Sequence, residues 1–392
     1  MRLLRTGSFL LAIALISVFV SCGTPVTVTV SRSATPLGTP ISTTATSSSV
    51  TGTPSSGTPI TSPTTPPIVQ PTASLATLSV YAGSSDGNFY AINASNGQKR
   101  WSYPVIGANK PITSNGIVYF GTDGGLVYAI NGGQLLWKFG PVSTGIDGRP
   151  ALENGVLVVA SENGTIYGID ATAGTQKWMV TAGGTITGGV ASSNDIAFVG
   201  ATDNNLYAIN VATGTVMWKY DTGSPIEYAT PAVTNGVVYM GNDSGQLHAV
   251  NATTGKKNWI FQASNGINSR AAIGGNTVYI GDSSSTFFAV DSATGTQNWK
   301  KTLPDTVGTP VIAGNFVIVM SSDGSVFAFN SGGTKQWDFK TGGAIRSWIA
   351  ASQNLIFIGS SDATLYALDS TTGKKTWGYA TGGAVASPAV GQ

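Results

Sequence analysis

The sequence predicts an all-β protein, an eight-bladed β-propeller whose blades are four-stranded antiparallel sheets. Three observations predict this fold. A tryptophan recurs at a near-constant interval, a similar phrase of strand and turn residues precedes each of these tryptophans, and a strand missing at the start of the repeats is found at their end. A fixed period of about 40 residues is typical of repeat proteins, whose units bury their apolar faces against their neighbours.

The tryptophan series sets the number of blades. Its successive members lie between 36 and 41 residues apart, whereas the ninth tryptophan, Trp348, falls outside the series. We expect each member to dock between neighbouring units, because an indole ring brings roughly 150–250 Å² of surface into a core. The eight are Trp101, Trp137, Trp178, Trp218, Trp259, Trp299, Trp337 and Trp377.

Each repeat carries the signals of four short strands. A β-branched run such as Val80–Gly83 is followed by a polar turn that often contains Asp-Gly, a hairpin signal. The second strand is of the Leu365–Asp369 type, and a third short strand after a Thr-Gly turn carries the tryptophan. The innermost strand lies between the phrases, as at 229–233, 308–312 and 386–390. Four antiparallel strands in each repeat are typical of a propeller blade.

The two ends of the repeat region predict how the ring closes. The first phrase begins near Leu78 with no innermost strand before it, and the chain ends just after the strand at Ala386–Val390. We therefore expect the C-terminal strand to complete the first blade. Such a closure leaves no unpaired innermost edge at the junction.

Residues 1–22 have the features of a bacterial lipoprotein signal peptide. Two arginines precede an apolar run, Phe9–Val20, which is short for a membrane-spanning helix. The residues Phe19–Cys22 resemble a lipobox, so we expect Cys22 to be lipidated after cleavage. The protein would then be exported and anchored to a bacterial membrane, on its periplasmic or cell-surface side.

Residues 23–76 differ in composition from the repeats that follow. They are rich in Ser, Thr and Pro, and Arg32 is their only charged residue. Such a segment cannot bury enough apolar surface to fold, which predicts a disordered tether. The propeller is assigned to residues 77–392 and is expected to be monomeric. Cys22 is the only cysteine, so no disulfide can form within one chain.

The phrase A-[IVLF]-[ND]-x-x-[TNA]-G-x-x-x-W resembles the tryptophan-docking repeat of the quinoprotein-type, or PQQ-like, β-propellers. The resemblance covers about 78–392. WD40 repeats, which share the broader WD40/YVTN-like fold, fit less well because their Gly-His signature is absent and only Trp337 is followed by Asp. Six full-length copies of the phrase occur, and two copies are shortened. The full-length copies span 91–101, 168–178, 208–218, 249–259, 289–299 and 367–377, and the shortened ones span 129–137 and 328–337.

The resemblance raises the question of catalysis. It implies that enzymatic relatives are PQQ-dependent alcohol dehydrogenases, which carry a vicinal disulfide over the quinone and a Ca²⁺ site. A chain with one cysteine cannot form that disulfide. We therefore expect no catalytic residue, no bound PQQ or other cofactor, and no metal. The single histidine, His248, stands where sibling repeats have Tyr207 and Tyr366, which favours a packing role over a catalytic triad.

Aspartates recur in the first turn of six repeats. A calcium site is one interpretation, but a residue that recurs blade after blade is typical of a side chain that caps a turn. We therefore predict turn capping. The six are Asp86, Asp123, Asp203, Asp243, Asp323 and Asp362.

One position of the innermost strands carries an excess of cations. Three of the chain's 20 Lys and Arg residues occupy it. We expect this position to line the central channel, near a mouth suited to an acidic peptide segment or an anionic glycan. The alternative is that Arg149 or Arg270 pairs with Asp147 or Glu227 and seals the channel. The eight occupants are Lys110, Arg149, Gly188, Thr230, Arg270, Thr309, Ser347 and Ser387, and the candidate binding mouth comprises Lys110, Arg149, Arg270, Arg346, Trp348, Glu227 and Tyr228.

Several function hypotheses follow from these features. A lipidated cysteine with eight such blades is similar to the BamB family of envelope propellers, which implies a non-catalytic, membrane-anchored scaffold for protein–protein interaction. The alternative is a carbohydrate-binding or sensory ectodomain, and a PQQ-dependent oxidoreductase is disfavoured. Nucleic acid is not an expected partner, because charged residues make up only 10% of the chain and the net charge is +2. Exposed aliphatic side chains or unpaired strand edges would favour a protein partner, and exposed aromatic rings on one face would favour a glycan.

Overall fold

The computed structural model describes residues 74–392, in which every regular element is a β-strand. The predicted signal peptide, Cys22 and nearly all of the predicted tether lie outside the described residues. Within residues 74–392 there is no helix long and apolar enough to cross a membrane.

The strands follow one another around a ring. The first sixteen are β1 (Ser79–Ser84), β2 (Asn88–Asn93), β3 (Lys99–Pro104), β4 (Ile112–Ser114), β5 (Ile117–Gly121), β6 (Val127–Asn131), β7 (Gln134–Phe139), β8 (Ala151–Glu153), β9 (Val156–Ala160), β10 (Thr165–Asp170), β11 (Gln176–Thr181), β12 (Ala191–Ser193), β13 (Ile196–Gly200), β14 (Asn205–Asn210), β15 (Val216–Asp221) and β16 (Ala232–Thr234). The others are β17 (Val237–Gly241), β18 (Gln246–Asn251), β19 (Lys257–Gln262), β20 (Ala272–Gly274), β21 (Thr277–Gly281), β22 (Thr286–Asp291), β23 (Gln297–Thr302), β24 (Val311–Ala313), β25 (Phe316–Met320), β26 (Ser325–Phe329), β27 (Lys335–Lys340), β28 (Ile349–Ser352), β29 (Leu355–Gly359), β30 (Thr364–Asp369), β31 (Lys375–Ala380) and β32 (Ala389–Gly391).

These strands form eight four-stranded sheets, which confirms the predicted eight-bladed propeller. Blades 2 to 8 each take four consecutive strands, from β4–β7 to β28–β31, while blade 1 is ordered β32-β1-β2-β3. The C-terminal strand therefore closes the first blade, as predicted. Val80 of β1 pairs with Val390 of β32, and the Ala386 N–H donates to the Gly83 carbonyl at 2.9 Å.

The innermost strands begin later than the sequence suggested. Their predicted starts at 229, 308 and 386 are wrong by three residues, because β16, β24 and β32 begin at Ala232, Val311 and Ala389. In each case a proline directly precedes the strand, and proline has no N–H to offer to a ladder. The cationic position therefore lies in the loop just before each strand, two residues upstream of its first member.

Each tryptophan of the series reaches into the next blade. The Trp137 indole N–H donates to the Ala171 carbonyl at 3.0 Å, and its ring lies against Gly174, where a Cβ would come within 2.6 Å of Trp137 Cδ2. Trp377 crosses the closure and donates to the Ala94 carbonyl at 3.0 Å. Trp101 lies against Gly133 of blade 2. The corresponding pairs elsewhere are Trp178 with Val211, Trp218 with Ala252, Trp259 with Ser292, Trp299 with Ser331, and Trp337 with Ser370.

A β-bulge helps to aim the tryptophan sideways. In blade 8, Ala367 stands opposite Trp377 and the register shifts between Ala367 and Leu368. The other seven blades shift at the equivalent step. Bulges bend a strand and re-aim its side chains. The hydrophobic core then lies between neighbouring blades, as where Phe89 of blade 1 stacks on Phe120 of blade 2 at 4.3 Å between ring centroids.

Candidate functional site: the central channel and the blade surfaces

The innermost strands surround a channel made of three abutting cavities of about 360, 330 and 300 Å³. Arg270 lines all three of them, and Arg149 lines the two larger ones. Lys110 and Trp348 line the largest. The structure therefore brings four of the seven predicted mouth residues together in the channel.

The two arginines do not make the ion pairs that would seal the channel. Among residues 74–392, neither guanidinium has a carboxylate within 4.0 Å, and Asp147 pairs instead with Lys110, with 3.9 Å between Oδ2 and Nζ. Burial lowers the pKa of Arg149 to about 10, with a further contribution from the positive charge of Arg270. Burial also lowers the pKa of Arg270. The channel thus holds two partly desolvated cations that repel each other.

Lys110 stands slightly apart from this arginine pair. Its ammonium lies 5.4 Å from the centre of the Trp348 ring, within the usual range of a cation–π contact. Together with the ion pair to Asp147, this contact fixes Lys110 and Trp348 against each other at the edge of the channel.

Hydroxyl groups at the same loop position join neighbouring blades. The Thr309 hydroxyl accepts the backbone N–H of Arg270 at 3.3 Å, and the Ser387 hydroxyl accepts that of Trp348 at 2.9 Å. Thr230 makes the equivalent bond to the N–H of Gly189 at 2.8 Å. These hydroxyls hold the loops of adjacent blades in register around the channel.

The other predicted mouth residues lie elsewhere. Arg346 lines a separate cavity of about 680 Å³ formed by loops of blades 6, 7 and 8, together with Asp305, Asp323 and Trp348. Because Trp348 and Thr309 line both this cavity and the largest channel cavity, the two adjoin.

Glu227 and Tyr228 form an acidic corner that contacts none of these cavities. A hydrogen bond to Glu227 and the nearby charge of that residue raise the pKa of Tyr228, with smaller contributions from Asp243 and Asp147. The Glu227 N–H donates to Asp243 Oδ1 at 3.4 Å. The expected mouth is thus not one cluster: cations line the channel cavities, and Tyr228 lies among the carboxylates of Glu227, Asp243 and Asp147.

The recurring aspartates bind their own turns in four of six repeats. Asp362 accepts the Thr364 N–H at 2.9 Å and the Tyr366 hydroxyl at 2.6 Å, and Asp86, Asp203 and Asp323 accept the equivalent backbone N–H. Asp123 and Asp243 differ, because they accept from the Asn109 side chain and the Glu227 N–H of a neighbouring loop. Within residues 74–392 no cluster of three His, Cys, Asp or Glu side chains is placed to hold a metal ion.

His248 is buried in blade 5 with both ring nitrogens engaged. Nδ1 lies 3.0 Å from the Tyr220 hydroxyl, and Nε2 lies 3.3 Å from Nδ2 of Asn242. Burial, reinforced by the charge of Lys257, lowers the pKa of His248 to about 4. The ring is therefore neutral at neutral pH, and its place in the strand is that of a packed side chain.

A further surface was missed by the sequence reasoning. The outermost strands of blades 2 to 5 each expose a large aliphatic side chain beside the docking tryptophan, between 39% and 59% exposed. At the equivalent positions, blades 1, 6, 7 and 8 carry only small, polar or charged residues. Comparing the residues on either side of each tryptophan would have found this asymmetry. We call the four side chains the aliphatic rim: Leu136, Met179, Met217 and Ile260.

A groove of about 670 Å³ accompanies the rim between blades 2 and 3. It is formed by the end of β7 and the segment after it, residues 138–143, and by Tyr167, Gln176 and Met179 of blade 3. Met179 belongs to both the rim and the groove, so the apolar surface continues from one to the other.

Comparison with known proteins supports the fold. A family model described as "Outer membrane protein assembly factor BamB" matches residues 106–187, 123–266 and 178–379. Two solved structures share the fold, each at 21% sequence identity. BamB from Moraxella catarrhalis aligns with a TM-score of 0.60 over 74% of this chain and 88% of the BamB chain. The computationally designed protein Ika8 has a TM-score of 0.65, covering 72% and 89%.

Curated relatives match over shorter stretches. Outer membrane protein assembly factor BamB of Yersinia pestis is 30% identical over 108 residues, 26% of this chain and 28% of that protein. Tetrathionate hydrolase of Acidithiobacillus ferrooxidans is 30% identical over 136 residues, 27% of each. The chain thus spans little more than a quarter of the length of either relative. Because the family model covers well over half of the residues, the chain belongs to the BamB family of PQQ-like β-propellers.

Proposed function

We propose that this protein is a non-catalytic scaffold of the bacterial envelope, which binds protein partners and is held at a membrane through a lipid on Cys22. Membership of the BamB family supports the scaffold role and the envelope location. The family model and one curated relative are named as outer membrane protein assembly factors, so the expected partner is a component of outer-membrane protein assembly.

The aliphatic rim is the observation that carries the protein-binding role. Of the large hydrophobic side chains exposed in residues 74–392, six are aliphatic and one, Tyr228, is aromatic. Sugar rings stack on aromatic faces, whereas clustered aliphatic side chains on a surface are typical of protein–protein contacts. The pattern therefore favours a protein partner over a glycan.

The geometry of the rim suggests how a partner binds. Leu136 lies on β7 and Met179 on β11, and each strand is the outermost of its blade, so its outer backbone edge is unpaired. An extended segment can add to such an edge through main-chain hydrogen bonds while its apolar side chains contact the rim. The occupant is accordingly a partner protein that offers an extended segment with alternating apolar residues.

Site-specific photo-cross-linking in the native cells tests this proposal. A photoreactive amino acid replaces Met179 in blade 3 or, as the control, Asn298 at an outward position of blade 6. We expect a discrete protein adduct only at position 179, identified by mass spectrometry as an outer-membrane assembly component. The double substitution Leu136→Lys and Met179→Lys should reduce the recovered partner at least tenfold.

The matched control keeps the added charge but moves it. Asn298→Lys with Thr376→Lys places two lysines beside the docking tryptophans of blades 6 and 8, where no aliphatic side chain stands. Equal partner recovery from both double variants would contradict a rim-centred interface. Adducts that contain only polysaccharide would replace the scaffold with the carbohydrate-binding alternative.

The lipid anchor is tested separately through Cys22. Cys22→Ser removes the only thiol that can be acylated, so we expect the protein to leave the membrane fraction and to lose the mass of its acyl chains. Cell fractionation and intact-protein mass spectrometry measure both effects, with Ser21→Ala as the control. Unchanged membrane association of Cys22→Ser would refute this anchor without affecting the rim.

An enzymatic alternative rests on one relative. The match to tetrathionate hydrolase, together with the paired arginines of a channel that could receive a dianion, favours a test of hydrolysis. Purified protein at micromolar concentration is incubated with tetrathionate and its consumption is followed. The scaffold proposal expects no loss above that of the Arg149→Gln, Arg270→Gln variant, and turnover that depends on these arginines would overturn it.

A further inference from the structure

The charges of the central channel are unbalanced. The three channel cavities are lined by Lys110, Arg149 and Arg270, and none of their lining residues is an Asp or Glu. Of these three cations, only Lys110 has a carboxylate of residues 74–392 within 4.0 Å. Buried cations are ordinarily paired, because removing an unpaired charge from water is costly. The channel therefore holds an uncompensated positive charge.

That charge is costly to the ligand-free ring. Arg149 and Arg270 enter the channel from blades 3 and 6. An anion bound between them offsets the free-energy cost of burying the two positive charges. The fall in the pKa of Arg149 to about 10, caused by burial and then by Arg270, has the sign expected of a cation that lacks a counter-charge.

Neutral donors face the same cavity. The Thr309 and Ser387 hydroxyl oxygens accept backbone N–H groups from the neighbouring blade, and neither hydroxyl donates to a residue of 74–392. Both line the 360 Å³ cavity beside Arg270 and Lys110, so their hydrogens remain for an acceptor in the channel. Guanidinium groups together with hydroxyl donors are the groups with which proteins bind carboxylates and phosphates.

The site adjoins a second cavity. The 680 Å³ cavity on the face of blades 6 to 8 shares Trp348 and Thr309 with the channel cavity. Cavities of about 300–1,000 Å³ are the size of small-molecule sites. A compact ligand, rather than a folded partner, fits the channel.

We propose that the central channel binds a small polyvalent oxyanion, held by Arg149 and Arg270 and by the hydroxyls of Thr309 and Ser387. The anion adds negative charge where the ring lacks it, so its binding stabilises the propeller. This site is independent of the rim and goes beyond the scaffold role. A carboxylate and a phosphate compound share the required chemistry.

Thermal unfolding and calorimetric titration of the purified full chain test the proposal. The probes are citrate, tripolyphosphate and sulfate at pH 7.5, each compared with sodium chloride at equal ionic strength. The variants are Arg149→Gln, Arg270→Gln and Arg149→Lys. Lys301→Gln, an exposed cation on the outermost strand β23, is the control for loss of one charge.

We expect at least one probe to raise the melting temperature by several degrees and to bind one site per chain. Binding should weaken at least tenfold in Arg149→Gln and Arg270→Gln, less in Arg149→Lys, and not at all in Lys301→Gln. Without ligand, Arg149→Gln should melt no lower than the unsubstituted protein, since it removes a repulsive cation. Tighter binding of citrate or of tripolyphosphate would identify the ligand as a carboxylate or a phosphate compound.

Each of three results would overturn the proposal. One is a shift of the same size for every probe and variant, which would show non-specific screening by salt. Another is a ligand-free Arg149→Gln protein that folds yet melts well below the unsubstituted protein, because Arg149 would then already have its counter-charge within the ring. Absence of binding by all three probes in a folded protein would also refute the site.

Discussion

His248 links the stability of this propeller to pH. Its pKa is lowered by burial to about 4 in the folded protein, against 6.5 for an unperturbed side chain. Well above pH 6.5 the ring is neutral in both states and contributes almost no pH dependence. As the pH falls from 6.5 towards 4, only the unfolded chain gains the proton, so the folded state loses stability.

A substitution isolates this effect from that of the carboxylates. His248→Tyr introduces the residue found at this position in blades 4 and 8, Tyr207 and Tyr366. Between pH 7.5 and 5.0 we expect the unsubstituted protein to lose about 2 kcal/mol more unfolding free energy than the variant. Urea unfolding at the two pH values measures the difference. Parallel losses would mean that the histidine is not desolvated.

The positions of the channel cations could be predicted from the sequence. The aligned loop position placed Lys110, Arg149 and Arg270 around the channel, because a repeat carries each aligned residue to an equivalent place. It could not show which cation Asp147 would pair with, since that choice depends on side-chain reach across blades. The separation of Glu227 and Tyr228 from the channel has the same cause.

At the scale of the elements, the turn between the last two strands of each blade is shaped by its neighbour's tryptophan. Gly174 has a φ of +69° and would bring a Cβ within 2.6 Å of Trp137, whereas Gly155 has a φ of +75° with nothing within 4 Å. Both positions disfavour a residue with a side chain, but only Gly174 also meets a rigid ring.

The two glycines therefore make a matched pair. Gly155→Ala should cost about 1 kcal/mol of unfolding free energy for the left-handed backbone alone. Gly174→Ala should cost roughly 1–3 kcal/mol more, because the indole must move. Urea unfolding followed by far-ultraviolet circular dichroism compares them. Equal costs would show that the indole shifts freely and that docking is loose.

Element boundaries illustrate what the sequence left open. The order and number of strands followed from the hairpin turns and the tryptophan phrase, both of which are local signals. The innermost strands began three residues late because the prolines before them, such as Pro231 and Pro388, have no N–H. These prolines are visible in the sequence, so this boundary was predictable from it.

At the scale of the whole molecule, ring closure depends on the last nine residues. Removing residues 384–392 deletes β32 and leaves the inner edge of β1 unpaired. We expect faster amide exchange in β1 and self-association through the open edge, while blades 4 to 6 keep their protection. Hydrogen exchange and light scattering measure both.

The control removes only Gln392, which lies beyond β32 and is exposed. It should behave as the complete chain does. A truncated protein that stays monomeric with unchanged exchange in β1 would mean that the Trp377 docking to Ala94 closes the ring without strand pairing.

The ring as a whole was predictable, and its asymmetry was not predicted. The period of the tryptophans gave eight blades, and the surplus strand gave the closure. The apolar stretch on one arc comes from single residues such as Met179 and Ile260, which no repeat consensus contains. A repeat consensus contains only the residues that the blades share, so it cannot predict a feature that is confined to some of them.

Closure by β32 also determines when the ring can form during synthesis of the chain. Among the strands of residues 74–392, β1 is made first, and its inner partner β32 follows about 310 residues later, which at ribosomal speed is roughly 15–60 s. Throughout that interval the nascent chain can stack blades but cannot finish the circle. The ring thus stays open until β32 has been made, which for the proposed envelope scaffold leaves time for a translocation machinery to thread the chain before the ring closes.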